Sequence, residues 1–204
     1  MTGDRFEFRF VGEHLALDFV NTRTTERDLA REDLATYRQA IAWFAKSGIL
    51  SRTDATALLR LEGSRDARET LRALHDFRDD VRALLDDYRR SGRVATRYLE
   101  LVNARLADCG CRRALVLDGD RFVVRVQYRF ERAHDLLMPL ANAVAELLAQ
   151  EDLTRLKRCG GDCCDMYFLD VSRNRSRTWC DMAACGNRAK AAAYYRRSRA
   201  EGAA

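Results

Sequence analysis

Apolar side chains recur along this chain with two different periods. Phe6, Phe8 and Phe10 alternate with Glu7 and Arg9, the period of two that predicts a half-buried strand over Phe6–Val11. Leu15–Thr22 follows as a short helix, apolar nearly all round except for an arc carrying Asp18, Asn21 and Thr22. Leu34–Ser47 predicts a second helix with Tyr37, Ile41, Phe44 and Ala45 on one face and Gly48 as its stop. Thr53 is placed to cap a third over Asp54–Glu62. Asp66–Arg90 is the longest, with a stripe of Leu71, Leu74, Val81, Leu84, Leu85 and Tyr88 opposite a solvated face of Arg and Asp. Another helix covers Ala95–Ala107. The period then changes: Ala114–Leu117 and Phe122–Tyr128, joined across Asp118-Gly119-Asp120, predict a hairpin with Asp-Gly turn chemistry. Pro139 fits the first position of a last helix through Leu148, and Gln150–Asp152 is a candidate hinge. Residues 1–150 are thus expected to form a mainly α domain with a small β-hairpin.

Beyond residue 150 the pattern is set by cysteine. Five of the seven cysteines fall between Cys159 and Cys185, as Cys159-Gly-Gly-Asp-Cys163-Cys164 and Trp179-Cys180-Asp-Met-Ala-Ala-Cys185. Soft thiolates converging from two chain segments suit tetrahedral zinc, and few domains bury five cysteines among Gly, Asp and Arg as mere small apolar side chains. A disulfide reading needs an oxidising compartment. The start Met-Thr-Gly-Asp-Arg-Phe-Glu lacks the apolar run of a secretory signal, so a reduced cytoplasm is expected. Cys163 and Cys164 are adjacent, and only one of them can complete a set of four ligands with Cys159, Cys180 and Cys185. Four thiolates close the coordination sphere, which makes the expected single Zn2+ structural rather than catalytic. Cys109 and Cys111 are spaced too tightly for a redox pair and are read as buried or incidental.

The charge adds a direction. Net charge is +5, with 33 of the 36 cations arginine. Residues 1–150 hold 25 basic and 24 acidic side chains, residues 151–204 hold 11 and 7, and from Val171 onward the count is 8 against 2. The basic excess therefore sits on the far half of the cysteine module and the tail, in Arg173, Arg175 and Arg177 and then Arg188, Lys190, Arg196, Arg197 and Arg199. Arginine suits phosphate and guanine edges, so these eight residues are the candidate nucleic-acid contacts. No nucleophile, acid and base signature stands out and no Gly-rich phosphate loop is present, so an enzyme is not expected. Pro139–Ala149, the longest apolar run, is too short and too interrupted to span a bilayer.

The run Cys180-Asp-Met-Ala-Ala-Cys185-Gly186-Asn187-Arg188, with Asp170, Ser172, Asn174 and Trp179 before it, resembles the bacterial CGNR zinc-finger family. Leu15-Ala-Leu17-Asp18-Phe19-Val20-Asn21-Thr22 resembles the opening motif of the ABATE domain that precedes the finger in that family. The resemblance implies a stress-linked transcription regulator. Its register places four residues between the first two ligands, with Phe168 and Asp170 four and six positions after the second. That register selects Cys159, Cys164, Cys180 and Cys185 and leaves Cys163 spare.

A zinc clamp on that set makes the intervening chain double back. Tyr167–Leu169 is then expected to pair with Thr178–Trp179, with Asp170–Arg177 as an exposed tip and a helix from Asn187, a treble-clef-like finger over residues 151–204. The functional reading is a DNA-binding regulator whose N-terminal domain senses an effector or forms a homodimer. The alternative is a zinc-stabilised module that docks another protein, and an enzyme with a pocket near Asp18 or His14 is a further rival. Asp18, Asn21 and Thr22 are either a satisfied structural cluster or the floor of a small-molecule pocket.

Overall fold

In the computed structural model, residues 6–26, 29–107 and 111–201 are described. In chain order they form α1 (Leu15–Val20), β1 (Arg23–Glu26), β2 (Leu29–Glu32), α2 (Tyr37–Lys46), α3 (Arg52–Leu59), α4 (Arg65–Ser91), α5 (Thr96–Ala107), β3 (Cys111–Asp118), β4 (Arg121–Tyr128), α6 (Leu137–Gln150), β5 (Leu156–Arg158), β6 (Tyr167–Leu169) and α7 (Asn187–Glu201). The strands make three antiparallel two-stranded ribbons, β1 with β2, β3 with β4 and β5 with β6. The protein is thus mainly helical, with small hairpins and a cluster of four cysteines in its last third. No helix among the described residues is long and apolar enough to cross a membrane.

The chain divides into two compact units, Leu34–Ala149 and Met1–Asp33 together with Gln150–Ala204. The first is built on helix faces. Thr36 caps α2 by accepting from Gln39 N, and its buried side Tyr37, Ile41, Trp43 and Phe44 enters the core. Ser64 caps α4 by accepting from Ala67 N, and Gly92, at φ +69°, ends it by donating to Tyr88 O. Between these caps Leu74, Phe77, Val81, Leu84 and Leu85 keep the helical period on one buried face. Asp66 Oδ2 accepts from Ala133 N at 2.9 Å, which ties the start of α4 to the short 3₁₀ turn before α6.

Several elements differ from expectation, each for a local reason. α3 begins at Arg52 because Ser51, not Thr53, accepts from Asp54 N. α6 begins at Leu137, so Pro139 sits third in the first turn, where no intrahelical partner for its missing N–H is needed. Asp135 starts that turn early by accepting from Glu131 N and Arg132 N. The hairpin is longer than expected, pairing Cys111 with Tyr128 through to Asp118 with Arg121.

In the second unit, Phe6–Val11 is not a strand. It joins none of the three ribbons among the described residues, and the Arg31 guanidinium donates to the Glu7 carbonyl. The β1–β2 ribbon was not anticipated, because Thr and charged residues give it no apolar alternation. β6 pairs with β5 rather than with Thr178–Trp179, the registers being Leu156 with Leu169 and Arg158 with Tyr167. Thr178 still lies alongside, accepting through its carbonyl from Gly160 N at 2.9 Å.

Candidate metal centre and basic groove

The two halves of the cysteine cluster are separate local structures. In the first, Cys159 N donates to Met166 O at 2.8 Å and Cys164 N to Gly161 O at 3.1 Å, folding Cys159–Cys164 into a tight knuckle at the end of the β5–β6 ribbon. In the second, the Asp181 side chain accepts from Ala184 N, and Cys185 N and Gly186 N both reach Asp181 O, giving a wide π-helical turn over Met182–Gly186 that runs into α7. Trp179 wedges between the halves. A Cβ at Gly160 would come within 2.8 Å of Thr178 and 2.9 Å of the Trp179 ring, and one at Gly186 would overlap Met182 Sδ and the same ring. Both positions need glycine for that close approach.

The Sγ atoms of Cys159, Cys164, Cys180 and Cys185 lie within 4.8 Å of one another, with Cys164–Cys180 and Cys180–Cys185 each at 3.7 Å. Four sulfurs held tetrahedrally at a zinc–sulfur distance of about 2.3 Å stand about 3.8 Å apart, so the donor set fits that ion. Cys180 N also points at Cys159 Sγ, 3.4 Å away, as a backbone donor suited to a thiolate. Hydrogen bonds from Cys164 and Cys180 hold the Cys159 thiol far below its usual range, donating to Cys159 pushes Cys164 up to about 12 and Cys180 up as well, and burial raises Cys185. Cys163 is outside the cluster, half-buried beside a groove.

The knuckle is tied to the start of the chain. Asn21 Nδ2 donates to Tyr167 O and Tyr167 N donates to Asn21 Oδ1, both at 2.8 Å, while Leu169 N donates to Gly12 O at 3.0 Å. The outer edge of β6 is therefore closed by the side-chain amide of Asn21, the C-cap of α1, and by the loop before that helix. Asp18 Oδ1 accepts from Gly12 N at 2.8 Å, Thr22 Oγ1 donates to Phe19 O at 2.7 Å, and His14 Nδ1 accepts from Ala16 N at 3.2 Å. Burial pushes the Asp18 carboxyl up to about 6 against the bond from Gly12, which lowers it.

The tip has its own organiser. Asp170 is fully buried; its Oδ2 accepts from Lys157 Nζ at 2.6 Å and Arg177 N at 2.9 Å, and its Oδ1 from Ser172 N at 3.0 Å. Burial alone would raise this carboxyl, but the bonds from Lys157 and Ser172 outweigh it and hold the group well below the usual carboxylate range. Lys157 also donates to the carbonyls of Arg175 and Arg177. No local pattern in the sequence marked this lysine, nor Glu13, which pairs with Arg177 at 2.8 Å across 164 residues.

The eight candidate cations separate into different surroundings. Arg177 is used inward: besides Glu13 it donates to the carbonyls of Val11, Trp179 and Cys180 and stacks 4.5 Å over the Phe168 ring. Arg175, at φ +52°, bonds Asp152 and Thr154. Arg173, Lys190, Arg196 and Arg199 are exposed, with no ion pair among the described residues, and the side chain of Arg197 lies outside them. Arg188, Lys190 and Arg196 line a groove of about 490 Å³ with Gly160, Gly161, Trp179, Ala189, Ala192 and Ala193. Small residues on α7 leave this space open, and its charged lining is Asp162 with Arg188, Lys190 and Arg196. Cys111 is partly exposed at the start of β3, and Cys109 falls outside the described residues.

Two family models match the chain. Residues 13–151 match ABATE, described as "Putative stress-induced transcription regulator", and residues 155–198 match the CGNR zinc finger. No curated protein matches the sequence.

Proposed function

The chain belongs to the ABATE family and carries a CGNR zinc finger at its C-terminal end, and from that premise we propose that it is a DNA-binding transcription regulator. Cys159, Cys164, Cys180 and Cys185 hold one structural Zn2+. When bound, the ion supplies a cross-link between the knuckle and the turn before α7, without an open position for catalysis. The protein residues do the rest. Asp170 and Lys157 fix the tip, Trp179 packs the two cysteine pairs against glycine, and Asn21 fastens the finger to α1.

The observation that carries the reading is the basic groove on α7. Lys190 and Arg196 are exposed cations without ion pairs among the described residues, and they line the groove beside small side chains that let a phosphate backbone approach closely; Arg173 and Arg199 are exposed and without ion pairs among the described residues as well. Arg177 serves as a brace rather than a contact. The division of labour follows the sequence regions 1–150, for sensing or self-association, and 151–204, for DNA.

The test is binding of the zinc-loaded protein to mixed genomic fragments over a range of salt. Neutralising about six phosphates gives a slope of log affinity on log salt of roughly −5. Arg173/Lys190/Arg196→Ala is expected to weaken binding and flatten that slope while zinc content stays unchanged. A flat salt response in the parent protein sinks the proposal. The exposed Val171, Met182, Tyr194 and Tyr195 of the same unit favour a second reading, protein docking, and tight capture of a partner by a protein that ignores DNA would establish it.

A further inference from the structure

The β3–β4 ribbon presents an apolar face that is left exposed among the described residues. Leu115 pairs with Val124 and Leu117 with Phe122, so all four side chains project from one face. They are 69, 61, 64 and 75 % exposed, respectively. Neither edge of the ribbon pairs with a third strand among the described residues, and an isolated two-stranded hairpin is marginal in water. Four large apolar side chains standing together in solvent mark an interaction surface rather than ordinary surface scatter.

The charges say what fits there. At the base of the same face stands Arg113, opposite Val126, and at the tip stands Asp120, beside Gly119 at φ +61°. Neither makes an ion pair among the described residues. The apolar patch is centred on the level of Val116 and Val123. Arg113 lies three residues to one side of that level and the turn lies about the same distance to the other, roughly 10 Å each way at 3.4 Å per residue. A two-fold axis through the centre of the patch therefore lays one apolar face on another and brings Arg113 of each copy over Asp120 of the other. The surface is complementary to itself, as an isologous interface requires.

We infer that the β3–β4 ribbon is a homodimer interface, two copies packing face to face and antiparallel through Leu115, Leu117, Phe122 and Val124 with reciprocal Arg113–Asp120 pairs. An eight-residue ribbon offers a face of roughly 27 by 10 Å. That is well below the ~800 Å² per partner of a standard stable interface, so the dimer is a weak, transient one. This inference does not depend on DNA binding.

Sedimentation velocity of the full zinc-loaded chain across the micromolar range tests it. The parent is expected to pass from monomer to dimer. Phe122→Lys should weaken association tenfold or more with an unchanged thermal unfolding curve, because that side chain is already in water. Arg113→Glu and Asp120→Arg should each weaken it, and the double variant should restore it. A monomer throughout, a dimer indifferent to Phe122→Lys, or a charge swap that fails to restore association would each overturn the interface.

Discussion

Replacing Asn21 by alanine is the sharpest probe of how the start of the chain supports the finger. The Asn21 amide satisfies both the N–H and the C=O of Tyr167, at 2.8 Å each, and the residue is 3 % exposed. Alanine removes both partners at once and leaves two backbone groups buried on the outer edge of β6. Each such group costs about 1–3 kcal/mol when unsatisfied, so the expected loss from the two is roughly 2–6 kcal/mol. Against a total stability on the order of 5–15 kcal/mol, that is a large fraction. Thr22→Val is the control. Its hydroxyl donates to Phe19 O one turn back, and loss of that single neutral bond should cost about 1 kcal/mol.

The assay is urea denaturation of the zinc-loaded protein, with the Tyr167 amide followed by hydrogen exchange. Asn21→Ala should lower the midpoint strongly, and that amide should lose protection more than the amides of α4, which lie in the other compact unit. Tyr167 lies three residues beyond Cys164, so zinc release to a competing chelator should also accelerate. A loss under about 0.5 kcal/mol, or equal costs for Asn21→Ala and Thr22→Val, would refute the argument that this amide holds β6.

Three further outcomes follow from the site. Cys163→Ser should retain one zinc per chain by elemental analysis and Cys164→Ser should lose it, since only Cys164 lies in the cluster. Asp18, raised to about 6 from 3.8, takes up a proton on folding, so its ionisation costs stability that is relieved as pH falls from about 6 towards 3.8. Asp18→Asn keeps an acceptor for Gly12 N and should stabilise the protein above pH 6 by up to about 3 kcal/mol, with the gain vanishing below pH 4 in pH-dependent denaturation. The depressed Asp170 carboxyl contributes stability that is present above pH 3.8 and lost as pH falls through its folded value. Lys157→Met should raise its titration towards the usual carboxylate range by NMR and move the acid unfolding midpoint upward.

What was legible in the sequence was whatever the chain repeats locally. The helices from Tyr37 to Gln150 carried their own period and, in most cases, their own caps, and were placed to within a few residues. The Asp-Gly turn announced the β3–β4 ribbon, and cysteine spacing with the family register announced the four thiols that converge. The elements that local pattern does not reveal are those whose partners are remote. The alternation in Phe6–Val11 is real, yet a strand needs a ladder, and this segment joins none of the ribbons among the described residues. Leu156–Arg158 carries Lys and Arg and is three residues long, so nothing local identified it as the strand that displaced Thr178–Trp179.

The same reasoning separates the cations that the sequence could only group. Eight basic residues share one region of the chain, and charge counting treats them alike. Geometry does not: Arg177 reaches back to Glu13 and Val11 while stacking on Phe168, and Arg175 closes on Asp152. An arginine that makes four hydrogen-bonded contacts inside the protein must break them to meet a phosphate, and the carbonyls it leaves would need new donors. Arg173, Lys190 and Arg196 carry no such cost, being exposed and without ion pairs among the described residues. Loss of DNA binding on mutating Arg177 would thus report a loosened finger, whereas loss on mutating the exposed three, with zinc retained, would report the contact itself.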